Sequence, residues 1–454
     1  MTRCVVVIGG GPAGVEAAVA AAAAGAGVTL VSEEPPGGRA SSASLLPSKV
    51  FLHAAELRAL RGQKGRASDE ELAAIRGDVE LHQKLVSERA ARRLEDAGVR
   101  WMRGLGRFAS PHELVVAREG KPDKRLPFDA AVIATGSVPA FPPGLLGEAT
   151  MPDGRVVLAP RALKALPSVP RTLLVIGGGP TGAEAAHLFQ RLGSEVTWIV
   201  DELGVLPGFD RDLTDALGGV LVERGVKLVS GKRVTRVSVR PEDPAHAAQA
   251  ALDGGRTYGA EQAFLALGRR ADLDRLDLAA AGLRAPLAID GQARTAVPHL
   301  FAAGDATGGP CLESRALAEG WTAGKAAAGV EVPALDAASL VHAVYTEPEL
   351  AKVGLAPAEA VRTGRAVKVA TCALGNVLRG QLEGVGIDRH RPGQLRIAID
   401  AEGLIVGASA IGPRAAELLA PIAVAMRGAV PARLLAATFA ASPTLHEAIG
   451  AALR

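Results

Sequence analysis

The sequence predicts an α/β fold built from two copies of one strand–turn–helix–strand unit. In the first copy, an apolar strand (4–8) runs into GGGPAG (9–14), an alanine-rich helix and a second strand (28–31). In the second copy, an apolar strand (172–176) runs into GGGPTG (177–182), another helix and another strand. A glycine-rich turn between strand and helix is typical of a Rossmann-like dinucleotide-binding domain. Two copies about 170 residues apart therefore favour two dinucleotides bound by one chain.

The composition indicates a folded chain with several domains. Its 454 residues suffice for two to four domains, and its 48% hydrophobic residues can form large cores. The net charge is only +3 without a basic run, so the sequence predicts no surface for nucleic acid or acidic lipid. Aromatic residues make up 3% of the chain, too few to stack on single-stranded nucleic acid. We therefore expect small-molecule partners.

Cysteine usage and hydropathy bear on the compartment. Cys4, Cys311 and Cys372 lie far apart, and no histidines stand at metal-ligand spacing from them. The sequence therefore predicts a reducing, cytoplasmic setting and no metal site. The alanine-rich stretch 17–26 is too short to span a bilayer, which needs ~20 apolar residues, so we expect no membrane span and no targeting segment.

The residues of the first turn have separate predicted roles. Gly9 makes the tight turn, Gly11 lets the backbone approach a pyrophosphate, and Gly14 lets helix and strand pack closely. Pro12 and Ala13 open the helix, whose N-terminus presents free N–H groups and partial positive charge to phosphates. These five residues form the predicted phosphate site of the first nucleotide.

The stretch GGRASSASLLPSK (37–49) identifies a family. Together with ATGSVP (134–139), AAGDA (302–306) and YTEPELA (345–351), it resembles the signature segments of the pyridine nucleotide-disulfide oxidoreductases, a family of flavoproteins. The terminal segment SPTLHE (442–447) resembles the last of those signatures, so the resemblance covers nearly the whole chain.

The resemblance implies a domain order and a set of cofactors. It implies an FAD-binding domain formed by 1–150 and 268–334, an NAD(P)H-binding domain (151–267) and a C-terminal α+β dimerisation domain (335–454). FAD and NADH are then the expected cofactors, NADPH is less favoured, and a homodimer is expected.

The resemblance also implies the FAD contacts beyond the glycine turn. Ser32 stands where the family carries a ribose-binding acid; serine can still hydrogen-bond the ribose, and the following Glu33 is the alternative partner. Gly304 and Asp305 are expected to hold the ribityl chain and phosphate. The remaining implied FAD residues are Arg39, Lys49, Ala134, Thr135 and Gly136.

The second nucleotide is predicted to be NADH. The third glycine of its turn resembles that of family members that use NADH, whereas members that use NADPH often carry alanine there. Asp201 and Glu202 follow the second strand and would repel a 2′-phosphate, and no arginine follows in sequence before Arg211. The implied NAD contacts are Gly177, Gly179, Gly182, Glu184, Val200, Asp201 and Gly268.

The groups that reduce disulfides in this family are missing. Ala40 and Leu45 stand at the positions of its two redox cysteines, and Ser442 stands at the position of its acid–base histidine. Disulfide reduction requires a thiolate pair and a proton donor, so the chain is not expected to perform it. His446 and Cys311, which the family register places near this chemistry, are predicted to be a surface or packing residue and a small buried packing residue.

The groups for the other half-reaction are present. By the resemblance, Lys49 pairs with Glu184 close to flavin N5 and the nicotinamide. The ammonium would favour electron density arriving on the isoalloxazine, and the carboxylate would keep the lysine charged and placed. The hypothesis is a reductase that takes hydride from NADH and passes electrons to a quinone or similar small molecule, with Leu45 as an apolar wall.

Two alternatives remain open. A soluble pyridine nucleotide transhydrogenase would need comparable NADPH affinity, which Asp201 and Glu202 disfavour. A regulatory or scaffold protein that binds flavin and NADH would have no dedicated acceptor reaction.

Overall fold

The alternation of strands and helices expected from the sequence is present in the computed structural model, which describes residues 2–146, 156–388 and 390–454. The chain divides into two units. Unit 1 comprises the residues up to Ser48, Arg76–Ala140 and Arg269–Asp336, and unit 2 comprises Lys49–Ile75, Phe141–Gly268 and Ala337–Arg454.

The strands of the described residues are β1 (Cys4–Ile8), β2 (Gly27–Ser32), β3 (Arg100–Arg103), β4 (Leu105–Ser110), β5 (Glu113–Arg118), β6 (Lys121–Pro127), β7 (Ala130–Ile133), β8 (Ser137–Pro139), β9 (Val157–Leu158), β10 (Thr172–Ile176), β11 (Glu195–Ile199), β12 (Lys227–Val229), β13 (Val234–Val239), β14 (Ala248–Leu252), β15 (Thr257–Ala260), β16 (Gln262–Leu265), β17 (Arg269–Ala271), β18 (Leu300–Ala302), β19 (His342–Val344), β20 (Glu349–Gly354), β21 (Lys368–Ala373), β22 (Gln394–Ile399) and β23 (Ile405–Gly412). The α-helices are α1 (Pro12–Ala23), α2 (Gly38–Ser42), α3 (Leu45–Leu60), α4 (Asp69–Asp96), α5 (Pro180–Arg191), α6 (Arg211–Glu223), α7 (Glu313–Ala327), α8 (Pro357–Arg362), α9 (Leu378–Leu382), α10 (Ala415–Arg427), α11 (Ala432–Ala436) and α12 (Glu447–Leu453).

Unit 1 is built on a five-stranded parallel sheet in the order β18-β7-β1-β2-β3. Its strands β1, β7 and β18 are continuous apolar runs, as expected for a parallel sheet covered on both faces, whereas the edge strand β3 is polar and mostly exposed. Helices α1 and α7 approach each other closely, because a Cβ on Gly320 would lie 2.3 Å from the Ala13 carbonyl oxygen and one on Gly324 2.2 Å from that of Ala17. The unit also contains an antiparallel sheet, β4-β5-β6, and the pair β17-β8.

Unit 2 contains a second sheet of the same design and a third of another kind. Strands β12-β11-β10-β16-β9 form a five-stranded parallel sheet, accompanied by the antiparallel sheet β13-β14-β15. The C-terminal part forms a five-stranded antiparallel sheet, β19-β20-β23-β22-β21, packed against α10 and α12. The predicted fold class, two dinucleotide-binding domains and a C-terminal α+β domain, is therefore confirmed.

The predicted element bounds agree closely with the structure. β1 and β10 have the predicted limits, and β2 is one residue longer at each end than the predicted 28–31. The predicted boundary between 150 and 151 lies outside the described residues. Residues 49–75 group with unit 2 although the predicted FAD domain included them. Among their contacts there, Ala67 N–H donates to the carbonyl of Leu192, which directly follows α5 (2.8 Å). No α-helix in the described part of the chain is both long and apolar enough to cross a membrane.

Candidate active site

The first glycine turn has the geometry that a pyrophosphate site requires. Gly9 has φ +113°, and a Cβ there would lie 2.2 Å from the Ala134 carbonyl oxygen. A Cβ on Gly14 would lie 1.9 Å from the Gly9 carbonyl oxygen, so only glycine allows this approach of α1 to the turn. A Cβ on Gly11 would meet nothing within 4 Å, so its face is open to a ligand. The residues present therefore fit a dinucleotide.

The two candidate ribose partners already have protein partners. The Ser32 hydroxyl donates to the Glu34 carbonyl (2.7 Å) and accepts from Trp101 Nε1 (3.0 Å). The exposed Glu33 carboxylate accepts two hydrogen bonds from Arg275, at 2.6 and 3.0 Å. Because a hydroxyl and a carboxylate each keep further acceptor lone pairs, both can still accept from ribose hydroxyls. Sequence reasoning missed Trp101 and Arg275, which no motif marks.

The AAGDA turn is held by side chains on both sides. Gly304 has φ +68°, and its N–H donates to Glu319 Oε2 (2.7 Å). Asp305 accepts a hydrogen bond from Ser137 Oγ (2.5 Å), and that oxygen accepts one from Arg269 Nε (2.7 Å). Each of the two predicted flavin residues of this turn thus has its own hydrogen-bonded support.

Glu319 is a buried charge that sequence reasoning missed. It lies on α7, is 3% exposed, and pairs with Arg315 Nε one helical turn before it (2.8 Å). Burial raises the pKa of Glu319, and the Arg315 guanidinium acts in the opposite direction. The i, i+4 spacing could have predicted the ion pair, but not that it supports Gly304.

Arg39, one of the implied FAD residues, lies with the ATG turn. Its Nη2 donates to the Thr135 carbonyl (2.6 Å) and its Nη1 pairs with Asp272 (2.6 Å). Gly136 follows with φ +73°, and Ala134 N–H donates to the Ile8 carbonyl at the end of β1 (2.8 Å). These residues come together within unit 1 beside the first glycine turn.

The second glycine turn repeats the first. Gly177 has φ +121°, and a Cβ there would lie 2.3 Å from the Ala266 carbonyl oxygen. A Cβ on Gly182 would lie 2.0 Å from the Gly177 carbonyl oxygen, and one on Gly179 would meet nothing within 4 Å. Gly268, the last implied contact, also has open space beside it.

The negative charge predicted at the end of β11, where the second nucleotide is expected, is partly neutralised in the structure. Asp201 Oδ1 accepts the N–H of Leu203 (3.1 Å), and the Val200 side chain is buried. Glu202 forms an ion pair with Arg233, which helps to lower the pKa of Glu202 after the larger effect of its own backbone hydrogen bond. No arginine follows these acids in sequence before Arg211, but Arg233 lies beside Glu202 in space, because the chain returns through 231–233 to the end of β11.

The Lys49–Glu184 pair predicted from the sequence is formed within unit 2. Lys49 Nζ, on α3, lies 2.7 Å from both carboxylate oxygens of Glu184, on α5. Tyr345 N–H donates to Glu184 Oε1 (3.0 Å), and Lys49 Nζ lies 4.6 Å from the centroid of the Tyr345 ring. Glu184 is only 12% exposed, so the pair is protected from solvent on the carboxylate side. Tyr345 lies in the YTEPE segment, to which sequence reasoning gave no site role.

The disulfide positions carry no sulfur. Ala40 lies in α2 and Leu45 begins α3, while Cys4, Cys311 and Cys372 are all free. The prediction that Cys311 is buried is wrong, because it lies exposed in the loop before α7. Desolvation and the Asp305 carboxylate nevertheless raise the pKa of Cys311 to about 11, which keeps it a thiol and a weak nucleophile at neutral pH.

The histidine position is also without an acid–base group. Ser442 is exposed and precedes Pro443. His446, half-buried, stands directly before α12 with Nε2 3.4 Å from the Glu417 carbonyl oxygen. This contact fits the packing role predicted for it.

Two nucleotide turns, an acid-supported AAGDA turn and a lysine–glutamate pair are the features of a flavin-dependent oxidoreductase of pyridine nucleotides. Residues 3–320 match the family described as pyridine nucleotide-disulphide oxidoreductase, and residues 341–453 match its dimerisation domain. The chain belongs to this family. It is an FAD-dependent pyridine nucleotide oxidoreductase with FAD and NAD(H) as cofactors.

Individual relatives agree with the family. Dihydrolipoyl dehydrogenase of Thermus scotoductus is 32% identical over 424 residues, covering 89% of this chain and 86% of the relative. Dihydrolipoyl dehydrogenase 2 of Haloarcula marismortui is 32% identical over 371 residues, covering 78% and 74%. The crystal structure of LpdA from Mycobacterium tuberculosis has a TM-score of 0.91 at 29% identity, covering 100% of this chain and 99% of that one. The flavoprotein disulfide reductase RclA of Escherichia coli, at 23% identity and a TM-score of 0.85, shares the fold.

Proposed function

We propose that this chain takes hydride from NADH onto FAD and passes the electrons to a small acceptor other than a disulfide, with a quinone as the first candidate. One observation carries the proposal. Ala40, Leu45 and Ser442 offer no thiol and no acid–base group, while the Lys49–Glu184 pair is formed with contacts of 2.7 Å. The loss thus falls on one half-reaction only.

The reductive half-reaction uses the charge of Lys49. Its ammonium, held by both oxygens of Glu184, supplies a fixed positive charge that favours hydride arriving on the flavin. The carboxylate holds the lysine in one position through these two contacts. NADH, rather than NADPH, is the proposed donor because Asp201 adds negative charge at the coenzyme end that Arg233 does not neutralise.

The oxidative half-reaction lacks a protein relay. Bound FAD supplies a store for two electrons that can be discharged in one-electron or two-electron steps. Ala40 and Leu45 present apolar surface, which favours a planar, apolar quinone over a charged disulfide. Cys311 cannot replace the missing pair, because it is a single cysteine whose pKa is raised to about 11.

The family's dimerisation domain supports a homodimer. Residues 341–453 match that domain, and they leave the large apolar side chains of Val424 and Phe439 exposed in the single chain. Burial of such side chains against a second copy would stabilise a dimer. Light scattering of the purified protein should give twice the mass of one chain; a monomer at micromolar concentration would contradict this.

The central test compares acceptors. The FAD-loaded protein is reduced by NADH without oxygen and then mixed with menadione, lipoamide or oxidised glutathione. Menadione should reoxidise the flavin rapidly, and neither disulfide should do so. Turnover of either disulfide would overturn the proposal. Fast reduction followed by slow reoxidation with every quinone would favour a regulatory protein instead.

The role of Lys49 is tested by Lys49→Met. Loss of one electrostatic contact should slow flavin reduction by NADH about tenfold or more. Lys84→Met, at an exposed lysine of α4, is the matched control and should leave the rate unchanged. An unchanged rate in Lys49→Met would remove the lysine from the mechanism.

Transhydrogenation is the second candidate, favoured by the Arg233–Glu202 ion pair. Because Arg233 neutralises Glu202, the charge that opposes a 2′-phosphate is smaller than the sequence indicates. Rapid hydride transfer from NADPH to a thio analogue of NAD would support this candidate over the quinone reductase.

A further inference from the structure

The segment 345–348, here called the clamp segment, is held at both ends. At its start, Tyr345 N–H donates to Glu184 Oε1 (3.0 Å), and the Tyr345 ring lies under the Lys49 ammonium (4.6 Å to the centroid). Near its end, the Glu347 carboxylate contacts several arginines. The interior is fixed by Thr346, which is buried and donates to the Pro348 carbonyl (2.7 Å).

Three guanidinium groups converge on Glu347. Arg191 Nη2 pairs with its Oε2, Arg224 Nη1 lies 3.8 Å from the same oxygen, and Arg391 Nη2 lies 3.5 Å from Oε1. Arg224 also donates to the Glu347 carbonyl oxygen. Arg191 is the last residue of α5, two helical turns beyond Glu184. The helix that carries Glu184 therefore also holds the clamp segment.

The buried charge of Arg224 depends on the Glu347 carboxylate. Arg224 is only 11% exposed, and desolvation, followed by the repulsion of Arg191, lowers its pKa to about 10. Arg224 is therefore still charged at neutral pH, and it needs the Glu347 carboxylate to offset its burial. Without that carboxylate, three positive groups would face one another, and the clamp segment would lose its anchor.

We propose that Glu347 and its arginines are positioning residues for hydride transfer, because they fix Tyr345 against the Lys49–Glu184 pair. The Tyr345 N–H holds one oxygen of Glu184, and Glu184 in turn holds the lysine. A displacement of the clamp segment by about one ångström would break the first hydrogen bond and let the ammonium shift, and such misplacement can cost up to about 100-fold in rate. The inference rests on the proposed role of Lys49 and Glu184.

The test is a double-mutant cycle on flavin reduction by saturating NADH. Glu347→Gln keeps the side-chain volume and removes the charge, and it should slow reduction about fivefold to tenfold without loss of bound FAD. In a Lys49→Met background the same substitution should cause no further slowing, because the clamp acts through the lysine. A merely structural role for Glu347 would not produce this loss of effect.

Asp212→Asn provides the matched control. It removes another carboxylate from an arginine of unit 2, Arg396 (2.9 Å), and neither residue contacts the clamp segment in the described structure. We expect an unchanged rate of flavin reduction in this variant. A rate as low as that of Glu347→Gln would assign the effect to general loosening and overturn the proposal.

The outcomes separate this inference from the proposed function. If Lys49→Met alone leaves the reduction rate unchanged, the proposed lysine role fails. If Lys49→Met slows reduction but Glu347→Gln has no effect, or has the same effect in both backgrounds, the clamp fails and the lysine role stands. If Glu347→Gln does not fold, Arg391→Gln replaces it in the cycle, since Arg391 is 39% exposed and its loss leaves the other two arginines in place.

Discussion

The two nucleotide units of this chain share one turn and differ in the helix that follows. Gly9 and Gly177 have φ +113° and +121°, and a Cβ on either would lie 2.2 or 2.3 Å from a carbonyl oxygen of a neighbouring strand end. The third glycines, Gly14 and Gly182, would place a Cβ 1.9 and 2.0 Å from the turn. The same glycine spacing thus gives the same turn geometry in both, although the helices that follow differ in sequence.

The helices show what each unit is used for. Helix α1 is almost entirely alanine and valine, because it is packed against α7, whereas α5 carries polar and charged residues. Glu16 and Glu184 occupy the same position, two residues after the third glycine. Glu16 pairs with Arg93 of α4 (2.7 Å), and Glu184 pairs with Lys49 (2.7 Å). The glutamate at this position is therefore structural in α1 and a candidate for chemistry in α5, and the difference lies in its cationic partner.

The same substitution in each glycine turn should affect the binding of a different nucleotide. Gly9→Ala should abolish flavin retention, and Gly177→Ala should leave the protein yellow but not reducible by NADH. In both, the new Cβ meets a carbonyl oxygen and the backbone is strained, so affinity should fall ~100-fold or more, about 3 kcal/mol. Flavin absorbance and anaerobic NADH titration measure the two effects.

Gly25→Ala is the control for backbone strain alone. Gly25 also has positive φ, +88°, but a Cβ there would meet nothing within 4 Å. This variant should retain flavin and NADH reduction. Loss of flavin in Gly177→Ala as severe as in Gly9→Ala would mean that the two turns do not bind separate nucleotides.

A pH dependence should distinguish α5 from α1. His187 of α5 is buried, and desolvation, then Arg191 and Arg224, lower its pKa from 6.5 to about 3. As the pH falls below 6.5, the unfolded chain binds a proton at His187 that the folded chain does not bind. This contribution to stability is therefore complete above pH 6.5 and is lost as the pH falls towards 3. Between about pH 7.5 and about pH 5 this loss should be about 2 kcal/mol.

His187→Gln should remove that loss, as measured by urea unfolding at the two pH values. Val19→Ala, at the corresponding position of α1, should lower the stability by similar amounts at both pH values. An acid sensitivity unchanged by His187→Gln would show that other groups cause it.

The two equivalent glutamates should differ in kinetics. Glu184→Gln removes the charge that holds Lys49 and should slow flavin reduction by NADH about tenfold. Glu16→Gln removes an equally close ion pair of unit 1 and should leave the rate unchanged. Stopped-flow absorbance at saturating NADH makes the comparison. Equal slowing in both variants would mean that Glu184 is only a structural partner.

Local sequence patterns predicted the features of the fold that depend on residues close together in the sequence. The bounds of β1 and β10, both glycine turns and the register of Glu184 two residues after Gly182 follow from short-range spacing. The Lys49–Glu184 pair, far apart in sequence, was predictable only through resemblance to a family. Physical spacing alone does not relate α3 to α5.

The missed residues are those brought in by long-range packing. Arg275 reaches Glu33 and Arg233 reaches Glu202 from distant loops without a motif to mark them. Tyr345 contributes a backbone N–H, which no side-chain pattern can predict. Burial of Cys311 was expected from its type and was wrong, because the loop before α7 leaves it exposed.

The smallest expected effect concerns the charge at the coenzyme end, where the two units also differ. Glu202→Gln should release Arg233 to meet a 2′-phosphate and raise kcat/KM for NADPH about twofold to fivefold, since an exposed ion pair holds its arginine only weakly. Asp201→Arg adds a cation as well as removing a carboxylate, so it should shift the preference further towards NADPH. In unit 1, Glu33→Gln releases Arg275 in the same way but should leave coenzyme preference unchanged. No gain for NADPH in Asp201→Arg would mean that the ribose binds away from β11, and an equal gain in Glu33→Gln would mean that the effect is one of net charge and not of position.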